Sequence, residues 1–157
     1  MRKNFTPPTC TTNLCPYFGK CALLMTEIVC SRDDNNIDVM FVGQGAGEKE
    51  HLTHKPFTGP AGKLLREKLL PKILSNKLNI VLDNTIRCRP LDEKGKNRPP
   101  TKEEVTFCLP YLWKQIEELK PLMVVPLGAS AAGDLVPMLY KKSITSVRGK
   151  KYSSVTS

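Results

Sequence analysis

The sequence contains no apolar run long enough to cross a membrane, so it offers nothing for membrane insertion. Its start, MRKNFTPPTC, is basic but lacks the apolar core of a secretion signal. The expected location is therefore intracellular, in the cytoplasm or at the nucleoid. Internal repeats and low-complexity tracts are also absent. Acidic residues are scarce beside basic ones, 15 against 24, which leaves a net charge of +9. A surplus of that size points to a polyanionic partner, nucleic acid before membrane. Without a secretory context, six cysteines argue against a disulfide framework and for metal or cluster ligation. Cys30, alone in a strand-like context, is read as an ordinary buried thiol.

A chain of 157 residues suffices for one domain with a three-layer core. Residues 1–36 show neither helical nor strand period, and hold Pro7, Pro8 and Pro16 among Cys10, Cys15 and Cys21. A thiol-rich stretch of this kind needs an external tie, which a metal supplies. From residue 37 to 157 the pattern becomes regular. Val39–Val42, Asn79–Asp83 and Leu122–Gly128 read as strands. They alternate with helices over 61–74, from the Thr101–Glu104 capping box to Leu119, and from Ala129 to about Tyr140. The first helix places Leu64, Leu65, Leu69, Ile73 and Leu74 on one face with basic residues opposite, and Pro71 should kink it or end its regular part. This alternation predicts an α/β fold, a central parallel sheet between two helical layers.

Asp38–Leu65 is the stretch that carries the chemistry. A buried strand runs into Gly43-Gln44-Gly45-Ala46-Gly47, then a polar loop with Glu48 and Glu50, then Pro56-Phe57-Thr58-Gly59. Glycines at the carboxyl end of a strand let a flat or anionic ligand approach the main chain, and Phe57 is placed to stack on a ring. The spacing is not G-x-G-x-x-G, and no Lys-Ser/Thr follows the last glycine, so neither a dinucleotide site nor a Walker A loop is indicated.

The whole stretch resembles the first motif of the iron–sulfur, family 4-type uracil-DNA glycosylases, roughly G-E-x-P-G-x-x-E-D-x-x-G-x-P-F-x-G-x-A-G. It aligns without a gap from Gly43 to Gly62, departing at Gln44, Ala46, His51 and His54. A second match runs through Asn84, Cys88-Arg89-Pro90, Asn97-Arg98-Pro99-Pro100, Glu104, Cys108, Pro110-Tyr111-Leu112 and Leu127-Gly128. The resemblance implies a glycosylase-like α/β domain over 37–157 that hydrolyses the N-glycosidic bond of uracil in DNA. An asparagine at a strand end can offer an acceptor and a donor to the N3–H and O4 edge of a pyrimidine, and that role falls to Asn84. Phe57 would stack on the extruded base, while Gly43, Gln44 and Gly45 would line its pocket with backbone groups. Of the acidic positions in the family's motif only Glu50 is retained beside Gln44. Glu50 is therefore the expected carboxylate beside the sugar, with Gln44 holding a water.

The resemblance further implies a [4Fe–4S] cluster, with Cys88 and Cys108 as its second pair and two ligands from the 1–36 segment. Cys15-Pro16 fits one of these. Thr12 stands where its partner is usual, so Cys10, or failing that Cys21, completes the set. Zinc on the same thiols is the rival. Arg87, Arg89, Arg98, Lys94 and Lys96 would meet DNA phosphates. After its Arg-Gly, matched by Arg148-Gly149, the family continues into a further strand and a His-Pro-Ser loop, whereas this sequence contains no His-Pro-Ser. The expectation is a form lacking the last strand and helix, truncated, split or leading a larger polypeptide, with weakened catalysis. A non-catalytic iron–sulfur DNA-binding module is the alternative.

Overall fold

The computed structural model describes residues 26–139 and 142–152. Strand β2, Val39–Gly43, forms where the apolar run predicts it, flanked by the parallel strands β3, Ile80–Asn84, and β4, Met123–Pro126. Because side chains alternate along a strand, Met40, Val42 and Val81 face one way, and Phe41, Ile80 and Leu82 the other. The first set packs with Ile37, just before β2, and with Leu112, Leu119 and Leu135 from helices α4, Lys102–Leu119, and α5, Ala129–Leu135. The second packs with Leu65 and Leu70 from the helical stretch that begins at Pro60. These are the three layers expected. Val42, Val81 and Leu82 are fully buried, so truncating Leu82 to alanine should cost about 2–5 kcal/mol.

The sheet is mixed rather than purely parallel. A fourth strand, β1, Glu27–Val29, runs antiparallel along the edge of β3, pairing Glu27 with Leu82 and Val29 with Ile80, in the order β1-β3-β2-β4. It belongs to the stretch read as irregular, because three residues beginning with a glutamate are too short to display alternation. Cys30, directly after β1, is exposed rather than buried. The loop that follows is pinned by Asn79, whose fully buried side chain accepts from the N–H groups of Ser31 and Arg32 (2.9 and 3.0 Å) and donates to the Asn36 carbonyl (2.9 Å).

Prolines shape two helices, the first losing its regular turn near Pro71 as expected and α5 ending earlier than predicted. The first runs as α2, Pro60–Leu64, a π-helical turn, Leu65–Leu69, and α3, Leu70–Ser75, with the N–H of Leu70 donating to the Leu65 carbonyl. Pro71 has no N–H and its ring would crowd the carbonyl four residues earlier, so the wide turn just before it absorbs the misfit. That turn also shifts the apolar face by one position. Leu65 and Leu70 are buried, while Leu64 and Leu69, read as core, are 64% and 46% exposed. Helix α5 stops at Leu135 instead of reaching Tyr140, and a 3₁₀ turn, Pro137–Leu139, replaces its end.

The capping box of α4 forms as predicted. Thr101 Oγ1 accepts from the Glu104 N–H at 3.2 Å, and Glu104 takes the Thr101 N–H at 2.7 Å. Glu104 also receives both terminal nitrogens of Arg98 (2.6 and 2.9 Å), and Arg98 Nε donates to the Leu91 carbonyl at 3.0 Å. These bonds pin the loop between β3 and α4, whose tip turns at Gly95 with φ of +73°.

Candidate active site

The parallel register places Gly43 directly beside Asn84, at the carboxyl ends of β2 and β3. The two strand ends stay zipped beyond the sheet: Thr85 N–H donates to the Gly43 carbonyl (2.8 Å) and Ile86 N–H to the Gln44 carbonyl (2.9 Å). A cavity of about 430 Å³ opens there, lined by the 43–47 turn, Glu50, Phe57, the start of α2, Asn84, Pro90, Arg98 and Leu127. The glycine at 43 is required by close approach. A Cβ on it would lie 2.5 Å from Asn84 Oδ1 and 2.8 Å from Cε1 of the Phe57 ring. The amide of Asn84 and the ring of Phe57 thus converge over one bare stretch of main chain. Gly43, Gln44, Gly45, Phe57 and Asn84 all border the cavity, so the five residues read as base-binding share one space.

Glu50 borders the same space in an unexpected way. The polar loop holding it is a short helix, α1, Glu48–Thr53, and its carboxylate is turned inward and buried. Oε1 accepts from the Gly59 N–H at 2.6 Å and Oε2 from the Gly47 N–H at 3.2 Å. Both oxygens therefore tie together the two loops that form the cavity walls. Gly59 has no room for a side chain, because a Cβ would fall 2.8 Å from Glu50 Oε1.

Beneath Asn84 lies a buried polar network that the sequence did not reveal. Asp83 Oδ1 accepts from the Asn84 N–H at 2.7 Å, and Oδ2 accepts from Thr26 Oγ1 at 2.8 Å. Gln115 on α4 bonds both Thr26 and Arg87. Burial pushes the Asp83 carboxyl above its ordinary range, although the Arg87 charge and the hydrogen bonds pull the other way. Arg87 itself is buried, bonded to Gln115 and 5.9 Å from the centroid of the Tyr111 ring. That overturns its reading as a phosphate contact. Arg98 is half-buried and engaged with Glu104, and Arg89 donates to Asn97 Oδ1 at 2.6 Å. Lys94 and Lys96 stand exposed at the loop tip.

The profile of the uracil DNA glycosylase superfamily matches residues 31–155. The chain belongs to that superfamily. It is 35% identical over 139 residues to a type-4 uracil-DNA glycosylase of Saccharolobus solfataricus, covering 85% of this chain and 62% of that relative. A type-4 uracil-DNA glycosylase of Thermotoga maritima is 40% identical over 124 residues, 79% of this chain and 62% of its own length. The chain thus spans about three-fifths of the curated glycosylases it matches. A DNA polymerase of Bacillus phage SP01 is 30% identical over 114 residues, which are 73% of this chain but 12% of the polymerase.

Within this glycosylase-superfamily fold, Cys88 follows β3 and Cys108 lies on α4; both are buried in one small cluster with Ile86 and Val105. The Cys108 thiol is lowered to about 7, first by its hydrogen bond with the Cys88 thiol and further by the main chain and charge of Arg87. Two adjoining buried thiols, one close to ionising at neutral pH, suit a soft metal or an iron–sulfur cluster. Cys10, Cys15 and Cys21 lie outside the described residues, among which no group of three or more metal-binding side chains converges. Among the described residues no helix is long and apolar enough to cross a membrane.

Proposed function

We propose that this chain takes uracil-containing DNA as substrate and carries the base-recognition half of an N-glycosidic hydrolase of base-excision repair, acting inside the cell. The observation that supports this reading most directly is the convergence of Asn84 and Phe57 over Gly43, in a cavity of about 430 Å³. A uracil turned out of the DNA would rest on Phe57, and the Asn84 amide would answer its N3–H and O4. Cytosine presents the reverse pattern of donor and acceptor, so a fixed amide rejects it. Cleavage breaks the C1′–N1 bond and its electron pair leaves with the base; a water oxygen bonds to C1′, and the proton it sheds passes through solvent to the uracil anion. On this reading Gln44, which borders the cavity, holds that water. With both oxygens engaged, Glu50 acts by fixing the cavity walls, and its carboxylate borders the side where positive charge develops on the sugar.

A [4Fe–4S] cluster fits the paired thiols of Cys88 and Cys108, completed by Cys15 and by Cys10 or Cys21; zinc is the rival occupant. Its contribution would be to staple the loop after β3 to α4 and to the N-terminal segment. The match to a small part of a phage DNA polymerase favours a second reading, a DNA-binding module within a larger polypeptide.

Excision from an oligonucleotide carrying one uracil, measured by strand scission at the abasic product, tests the first reading. Asn84→Ala should lower the rate about 100-fold, the loss typical of one charge-stabilising donor. DNA binding without any excision would favour the module, and excision indifferent to Asn84 would remove the assigned recognition.

A further inference from the structure

Four non-glycine residues have positive φ among the described residues: His54, Phe57, Lys77 and Lys120. His54 and Lys120 cap helices, and Lys77 follows α3 closely, places where a left-handed residue is common. Phe57, at +57°, closes no helix. A bulky residue persists in that conformation only where its surroundings over-determine it.

The surroundings that do so centre on Arg66. Its Nε donates to the Phe57 carbonyl at 2.9 Å and its Nη2 to the Pro56 carbonyl at 2.5 Å. The same guanidinium pairs with Glu27 of β1 through Nη1 at 3.3 Å and Nη2 at 2.5 Å. One turn earlier on the same helical stretch, Gly62 leaves room for this carbonyl, since a Cβ there would fall 2.1 Å from the Phe57 carbonyl oxygen. With its carbonyl held toward Arg66, the residue carries its ring to the opposite side, against Gly43. We propose that Arg66, aligned by Glu27, is a positioning residue that fixes the Phe57 ring as the stacking wall for the base. The proposal rests on the glycosylase reading for the identity of the base, while the clamp itself does not. The planar fork matters because its separate nitrogens reach two carbonyls and a carboxylate in fixed directions, whereas the three N–H donors of an ammonium all radiate from one atom.

The test uses the whole chain and reads geometry and function separately. Nuclear magnetic resonance of the wild type should show Gly43 α-protons shifted by the aromatic ring, and Phe57→Ala should abolish that shift. Arg66→Gln should move the shift most of the way to the Phe57→Ala value while the Val81 and Leu82 methyl signals stay in place. Arg66→Lys and Glu27→Gln should fall between. A wild-type Gly43 shift in folded Arg66→Gln would overturn the clamp. On uracil-containing single-stranded DNA, Arg66→Gln should raise KM about tenfold with kcat within about threefold, the size of one weakened stacking contact. The loss should vanish in a Phe57→Ala background, and additive losses would overturn action through Phe57. A displaced ring with unchanged KM would leave the clamp standing and remove Phe57 as the base's wall, a failure of the glycosylase reading alone.

Discussion

At the scale of single residues, Asp83 is the clearest case of a side chain whose effect depends on its burial. Its folded-state carboxyl lies above the ordinary value of about 3.9 because the apolar interior disfavours the charged form. Between that value and the raised folded one, the native state holds a proton that the unfolded chain has released. Stability is therefore greatest below pH about 4 on this account and falls as pH rises through the folded value. Asp83→Asn, which keeps an acceptor for the Asn84 N–H, should flatten that dependence and raise stability near neutral pH. Denaturant unfolding at a series of pH values checks it, and an unchanged slope would mean that the Arg87 charge and the hydrogen bonds cancel desolvation. Glu50 illustrates the converse. Two main-chain N–H donors receive its charge, so its burial is compensated and the cavity walls are held together.

At the scale of elements, the loop between β3 and α4 is held at both ends by different chemistry. Arg98 and Glu104 pin its return to the helix, whereas Cys88 and Cys108 sit side by side at its base. If a cluster bridges these thiols, anaerobically prepared protein should be brown, with broad visible absorption that bleaches on reduction. Cys88→Ser or Cys108→Ser should release the iron and make the 91–100 loop the first site of proteolysis, because ligation and local folding are coupled. Cys30→Ser, at an exposed position beyond β1, should leave iron content unchanged. Stoichiometric zinc without sulfide in native material would assign the thiols to zinc instead. The helix after the cavity shows how an element adapts to one residue: Pro71 forces a wide turn, and that turn brings Leu70 rather than Leu69 into the core.

At the scale of the whole molecule, a net charge of +9 should govern how the chain meets DNA. With Arg87 buried and Arg89 and Arg98 engaged by neighbouring side chains, the exposed Lys94 and Lys96 are the groups of that loop best placed to reach phosphates. Two phosphate contacts predict roughly a 12-fold loss of affinity between 50 and 200 mM salt. Fluorescence anisotropy with a labelled oligonucleotide measures it. Lys94→Gln combined with Lys96→Gln should lower both the affinity and the salt slope, and affinity indifferent to salt would count against this loop as the contact surface.

The amino-acid sequence by itself determined the strands β2, β3 and β4, the capping box at Thr101, the family, and the cavity-forming roles of the 43–47 turn. Each of these is written in local pattern: apolar runs of strand length, a hydroxyl three residues before a glutamate, glycines at a strand end. Only the tertiary structure decided that Gly43 and Asn84 are neighbours, because a parallel register joins residues from distant parts of the chain. It also decided that Arg87 is interior, that β1 pairs antiparallel to β3, and that Arg66 faces the Phe57 carbonyl instead of solvent. An arginine reads the same in a sequence whether it lies on a solvated helix face or in a socket of carbonyls. The difference lies in which main-chain acceptors are left without partners nearby, and that is settled when Glu27, Phe57 and Arg66 are brought together by folding.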